Sequence, residues 1–183
     1  MFSLGLDERT CLRLFEEADA QELYEVVVAN REYLSRWMPW APKQTPENTL
    51  EFIRVSRRQF AENNGFQAAI VEDGRIVGVT GFHSIDWENL STTIGYWIAA
   101  EAQGRGTVTR AVGALVDHAF GVWKLNRVEI HAAPENDRSR AIPRRLGFAE
   151  EGLLRQAERV GDRFVDHVLY AMLAQDWRRG NAD

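Results

Sequence analysis

The residues best placed to do chemistry sit in one short run, Gln103-Gly104-Arg105-Gly106-Thr107-Val108-Thr109. Its two glycines let the backbone turn so sharply that successive N–H groups point into one concavity. Val108, Ala111, Val112, Leu115 and Ala119 follow at the spacing of one helix face. The run therefore lies at a helix N-terminus, where unpaired N–H groups and the dipole favour a phosphate. Arg105 and Arg110 are near enough in sequence to add positive charge. A glycine-rich turn that merely starts a helix is the plain structural alternative. Two other phosphate loops fail on spacing. No G-x-x-x-x-G-K-[ST] string occurs, and a dinucleotide G-x-G-x-x-G pattern fails because Thr109 stands at its third glycine.

The elements around this run must hold it in place. Alternation over residues 10–15 reads as a strand. Asp19 and Glu22 have the spacing of a capping box, and Leu23, Val26, Val27 and Leu34 stripe the helix behind it. The segment Trp37-Met38-Pro39-Trp40-Ala41-Pro42 breaks that helix. Thr45, Pro46 and Glu47 open a second one as cap, first-turn proline and dipole-matched acid. Asn63-Asn64-Gly65 stops it.

Residues 66–72 and 75–82 flank Asp73-Gly74, a strong hairpin signal. Gly78 and Gly81 within the second strand imply a bulge or a close approach. Further strands fit residues 91–99 and 127–133, and a short helix ends at Leu146-Gly147, with Gly147 as its C′ residue. Pro143 inside that helix is expected to kink it or to make its first turn irregular. Residues 153–160 and 164–173 pair across Gly161-Asp162. The order is strand, two helices, three-strand meander, helix, strand, helix, hairpin. It predicts an α/β (α+β) fold over residues 1–183 as a single domain, with a central mixed sheet of about seven strands and about four flanking helices.

Composition narrows the function. With 22 lysines and arginines against 27 aspartates and glutamates, the net charge of −5 argues against a general nucleic-acid binder. The single cysteine, Cys11, cannot form an intramolecular disulfide, and no cysteine pair has zinc spacing. No apolar run approaches the ~20 residues of a membrane span. The opening MFSLGLDERT lacks the regions of a signal peptide, so a reducing cytoplasm is the expected setting. His83, His118, His131 and His167 are spread without ligand spacing; they read as packing residues, and no metal is assigned.

Gln103-Gly104-Arg105-Gly106-Thr107-Val108 resembles the Q/R-x-x-G-x-G/A acetyl-coenzyme A loop of the GNAT N-acetyltransferase superfamily. Ile94-Gly95-Tyr96-Trp97-Ile98 resembles that family's central strand. Asn136-Asp137-Arg138-Ser139, Leu146-Gly147-Phe148, Glu151-Gly152 and the stretch from Leu154-Arg155 through Asp166 to Tyr170 are similar to its RimJ/RimL-type branch, the ribosomal-protein N-terminal acetyltransferases. The likeness covers nearly the whole chain and is most specific over residues 94–170. It implies a GNAT-like domain with a splayed, mostly antiparallel sheet, acetyl-coenzyme A as cosubstrate, no metal and a homodimer. Val108 departs from the motif's last small residue, but valine still supplies the backbone N–H that the loop needs.

The same resemblance assigns roles. Ile98, Gln103, Gly104, Arg105, Gly106, Thr107, Val108, Thr109, Asn136 and Ser139 are implied to bind acetyl-coenzyme A, with backbone N–H groups near Tyr96–Ala99 holding the reacting carbonyl. Glu158 is the implied general base, through a water, and Ser139 the donor to the departing sulfur. Each has a structural alternative: a solvated strand carboxylate for Glu158, a helix-terminal cap for Ser139 and an Asx turn for Asn136. Trp37, Met38 and Trp40 are implied to wall the acceptor site, with core packing or a dimer contact as the alternative. The implied acceptor is a primary amine, the N-terminal α-amine of a protein such as a ribosomal one. A small-molecule amine, such as a polyamine or antibiotic, and a regulatory module that binds acetyl-coenzyme A without turnover are the rival readings.

Overall fold

The computed structural model describes residues 3–180. Its sheet starts from the hairpin that Asp73 and Gly74 make by taking φ of 49° and 78°, closing Glu72 onto Arg75. Eight strands follow the order β1-β2-β3-β4-β5-β6-β8-β7. They are β1 (Ser3–Gly5), β2 (Thr10–Leu14), β3 (Gln67–Glu72), β4 (Arg75–Asp86), β5 (Ser91–Ile98), β6 (Arg127–Ala132), β7 (Ala149–Val160) and β8 (Arg163–Leu173). Every neighbouring pair is antiparallel except β5 and β6. The helices are α1 (Ala20–Ala29), α2 (Arg31–Leu34), α3 (Pro46–Ala61), α4 (Thr107–Gly121), α5 (Asp137–Arg145) and α6 (Ala174–Gly180). The predicted mixed, mostly antiparallel sheet is present with one strand more than expected. That strand, β1, has three residues paired to β2, too few to reveal an alternation. Helices α2 and α6 are likewise too short for a stripe.

Alternation in the central strands sends side chains to two separate layers. On one face Ile94, Ile98, Val128 and Ile130 pack with Ala111, Val112 and Leu115 of α4 and Ile142 of α5. On the other, Ala69, Val71 and Val79 pack with Leu23 of α1 and Ile53 of α3. Two-sided cover of this kind explains why β3 reads as a continuous apolar run. Gly78 is required where β5 crosses closely: a Cβ there would lie 2.4 Å from the Trp97 carbonyl oxygen.

Local caps divide into those formed as expected and one that is not. Thr45 Oγ1 accepts the Asn48 N–H at 3.2 Å. Gly147 takes φ +77°, and Phe148 and Gly147 N–H donate to the carbonyls of Pro143 and Arg144 at 2.9 and 3.2 Å, which closes α5. The Asp19–Glu22 box does not form. Asp19 instead binds the Arg13 guanidinium at 2.6 Å and the Glu16 N–H at 2.7 Å, and a carboxylate so engaged leaves the helix end. Glu22 accepts from Arg75 and the Ile76 N–H, tying α1 to β4.

Pro143 does not interrupt the assigned helix. The first turn of α5 is regular, capped by Asn136, and the helix continues past the proline to Arg145. The N–H that Pro143 lacks would have served the Ser139 carbonyl. The Tyr96 hydroxyl donates to that carbonyl instead, at 3.0 Å, so the missing donor is supplied from β5.

Candidate active site

The site begins where the two parallel strands part. β5 and β6 pair only from Ser91↔Arg127 to Thr93↔Glu129. Beyond Thr93, β5 remains bonded to β4 alone, and Ala99 N–H donates to the Val77 carbonyl at 2.8 Å. Strand alternation then turns the N–H and C=O of Ile98 and Tyr96 to the other side, into the gap that β6 has left. The sheet thus opens a slot with backbone donors along one wall.

On the α4 and α5 face, the slot leads into a cavity of about 640 Å³. Gly104 and Gly106 take φ of +80° and +73°, and the turn they make delivers Gly106 as the N-cap of α4. Among the described residues, no acceptor takes the N–H groups of residues 104–109. A Cβ on Gly104 would meet nothing within 4 Å, so the cradle is open above it. Unpaired donors, a helix dipole and free space fit a pyrophosphate, and a groove of this size fits the rest of a coenzyme A chain. Ile98, Gln103, Gly104, Gly106, Thr107, Val108, Thr109, Asn136 and Ser139 all line the groove.

The arginines are arranged differently from the expectation. The Arg105 guanidinium turns away, to Glu72 at 3.0 Å and the Glu101 carbonyl at 3.0 Å, leaving only its N–H at the cradle. Arg110 pairs with Asp7 at 2.9 Å. Positive charge in the groove comes from α5 instead, through Arg138 and Arg145, and Arg138 also donates to the Gln103 side-chain oxygen. Charge on α5 could be read from sequence, but which side of the helix faces the cradle could not.

On the opposite face lies a second cavity, of about 680 Å³, beneath α1, α3 and the segment that joins them. Trp37, Met38 and Trp40 line it, Trp40 against Trp97 with ring centroids 6.0 Å apart. Trp37 also packs on Ala133, Val160 and Val165, so wall and packing are one role there. Arg163 of β8 holds this segment by donating to the Arg36 carbonyl at 2.9 Å. The two cavities share Trp37, Met38, Tyr96, Trp97, Asn136 and Ser139, and so meet at the slot.

At that junction, Asn136 Oδ1 accepts the Ser139 N–H at 3.2 Å as the cap of α5. Ser139 Oγ lies 3.3 Å from the Tyr96 hydroxyl, whose own proton goes to the Ser139 carbonyl. Burial pushes the Tyr96 phenol well above its usual range, so it stays a neutral donor. Glu158 enters from β7. Between Leu154↔His167 and Glu158↔Val165 the strand gains two residues, with Gln156 at φ 52° and its N–H bonded to Asp166 Oδ1 at 2.7 Å. This bulge brings Glu158 diagonally onto His167, Oε2 to Nε2, at 3.3 Å.

The histidines are where sequence reasoning falls short. His83, His131 and His167 all line the second cavity with Glu158, although they come from β4, β6 and β8. Burial holds the His83 imidazole below its usual range, with His131 pushing the same way and Glu158 opposing. Among the described residues, no three His, Cys, Asp or Glu side chains group as a metal site. No helix among them is long and apolar enough to cross a membrane.

A parted sheet with an anion cradle on one face and a largely apolar pocket on the other can hold a carrier and an acceptor end to end. Residues 9–149 match the acetyltransferase (GNAT) domain family. The chain is 38% identical over 179 residues to Bacillus subtilis YdaF, which carries a provisional ribosomal N-acetyltransferase name, covering 97% of this chain and 98% of that protein. It is 27% identical over 172 residues to the Escherichia coli ribosomal-protein-serine acetyltransferase, covering 93% and 96%. The crystal structure of the microcin C7 self-immunity acetyltransferase MccE, in complex with acetyl-CoA and AMP, superposes with a TM-score of 0.88 at 27% identity, covering 92% of this chain and 94% of that one. The chain therefore belongs to the GNAT family and is an N-acetyltransferase.

Proposed function

We propose that residues 1–183 act as one cytoplasmic domain, paired as a homodimer, that acetylates the N-terminal α-amine of a protein, a ribosomal one included. Transfer is direct: amine and acetyl-coenzyme A are held together, and nitrogen attacks the thioester with no acetyl-enzyme. The observation that carries the acceptor class is the charge of the second cavity. Among the described residues, Glu158 is its only carboxylate, and no lysine or arginine lines it. One carboxylate matches one ammonium. A polyamine would bring several charges into a pocket whose other walls are tryptophans, apolar side chains, neutral amides, hydroxyls and three imidazoles, with no second carboxylate among the described residues to pair them.

The chain's residues divide the work. The cradle at 104–109 and the arginines of α5 bind the anionic carrier, and the N–H groups of Tyr96 and Ile98 face the slot where a developing oxyanion needs donors. Glu158 takes the ammonium proton through a water, freeing the lone pair. Ser139 Oγ donates a hydrogen bond to the departing sulfur, which leaves as the thiolate. Positioning on both sides of one slot contributes most, since joining two reactants removes the entropy of their encounter.

The acceptor class is tested by thiol release with peptides of varied N-terminal residue set against spermidine and N-terminally blocked controls. Free α-amines should turn over and blocked peptides should not. Spermidine outpacing every peptide would overturn the reading. Trp40→Ala should raise the acceptor KM by about tenfold, from the lost aromatic contact, and leave the acetyl-coenzyme A KM within about twofold. The reverse pattern would make Trp40 a scaffold residue.

A further inference from the structure

Glu158 has a partner, and that partner has another. His167 Nε2 lies 3.3 Å from Glu158 Oε2. The His167 and His131 rings pack edge to face, with centroids 6.2 Å apart. His131 Nε2 lies 3.1 Å from Glu129 Oε2, and Glu129 accepts from Arg127 at 2.7 Å. Arg127 reaches Glu151 on the outer strand at 2.6 Å. By strand parity, Glu129, His131, His167 and Glu158 all project from the face that carries the second cavity. A titratable track therefore runs from inside the pocket to the sheet's outer edge.

From this geometry we infer that Glu158 does not dispose of the acceptor's proton alone: His167 takes it, and His131 and Glu129 conduct it to solvent. The inference rests on Glu158 being the base. Glu158 is open to water through the cavity, and an acceptor filling the cavity removes that outlet. The track leaves in another direction. The ammonium N–H bond breaks and an O–H bond forms on Glu158. That proton then moves to the lone pair on His167 Nε2 and leaves from Nδ1, while nitrogen bonds to the acetyl carbon and the carbon–sulfur bond breaks. No oxidant or further reactant is needed. The other titratable group facing the cavity is His83 on β4, which burial keeps neutral and outside the track. Tyr96 on β5 is committed to the Ser139 carbonyl on the opposite face.

The test uses the full chain and the dependence of kcat on pH between about 5 and 9, the range in which imidazoles change charge. His167→Gln keeps a polar group beside Glu158 but accepts no proton, and should lower kcat by about 10- to 100-fold. The deficit should narrow as pH rises and more of the amine is already free, with acetyl-coenzyme A affinity by calorimetry unchanged. His131→Gln should do the same to a smaller extent, and imidazole in solution should restore part of the activity of His167→Ala. If both glutamine variants keep the wild-type kcat and pH profile while Glu158→Gln loses kcat, Glu158 acts without the histidines and the inference fails. If Glu158→Gln is silent as well, the base assignment itself fails.

Discussion

Gly106→Val is expected to weaken acetyl-coenzyme A binding by about 100-fold, equivalent to about 2.7 kcal/mol. Gly106 holds φ +73° as the N-cap of α4, a conformation that costs a side-chain-bearing residue about 1–2 kcal/mol and a β-branched one more. A Cβ there meets only the Arg110 Nη1, at 3.2 Å, and that flexible tip gives way. The loss therefore arises from the backbone: relaxing φ swings the 104–109 N–H groups apart, and the valine branches occupy the cradle. Gly106→Ala should carry the conformational cost with less bulk and fall between valine and wild type. Calorimetry with coenzyme A, alongside the melting temperature, reads both effects. An unchanged Kd in the valine variant, correctly folded, would remove the loop from the binding site.

Glu158→Gln should lower kcat by about 100-fold near neutral pH, the usual contribution of a positioned general base. Acetyl-coenzyme A affinity should stay within about twofold, because Glu158 lines the cavity opposite the cradle. Glutamine preserves shape and a hydrogen bond toward His167 but cannot accept the proton. An α-amine has a pKa near ~8, so the free base becomes the main form at higher pH. The deficit should accordingly narrow as pH rises. A kcat deficit that is constant from about pH 6 to 9 would mean that the carboxylate positions the acceptor and does not deprotonate it.

What could be read from the sequence was local chemistry. Asp73-Gly74, Thr45 and Gly147 each announce their conformation because the turn or cap is decided within four residues. The turn within Gln103–Thr109 was legible for the same reason: two glycines at positive φ and a helix start set the direction of its backbone N–H groups. The faults lie where distant residues compete. Asp19 has a cap's spacing, but Arg13 claims it; Arg105 has a phosphate ligand's charge, but Glu72 claims it. Pro143 reads as a defect until Tyr96, 47 positions earlier, supplies the missing donor. The three histidines are separated by 48 and 36 residues, and only the strand order, with β8 set between β6 and β7, brings His167 onto Glu158 with the His131 ring behind it.

The parted strands carry a further consequence. Backbone groups that face the slot at Tyr96 and Ile98 are those of an interior sheet edge, and whatever pairs with them stands in for the missing length of β6. A chain lying there joins the two halves of the sheet as a strand would. Occupancy and folding stability are then linked by mass action: at a ligand concentration one hundred times Kd, the native state gains about 2.7 kcal/mol. The gain falls on the amides along the slot, where hydrogen exchange slows as the ligand binds. On the proposed reading, the carrier of the acetyl group is also a removable piece of the fold, and the molecule is most completely a sheet when it is ready to react.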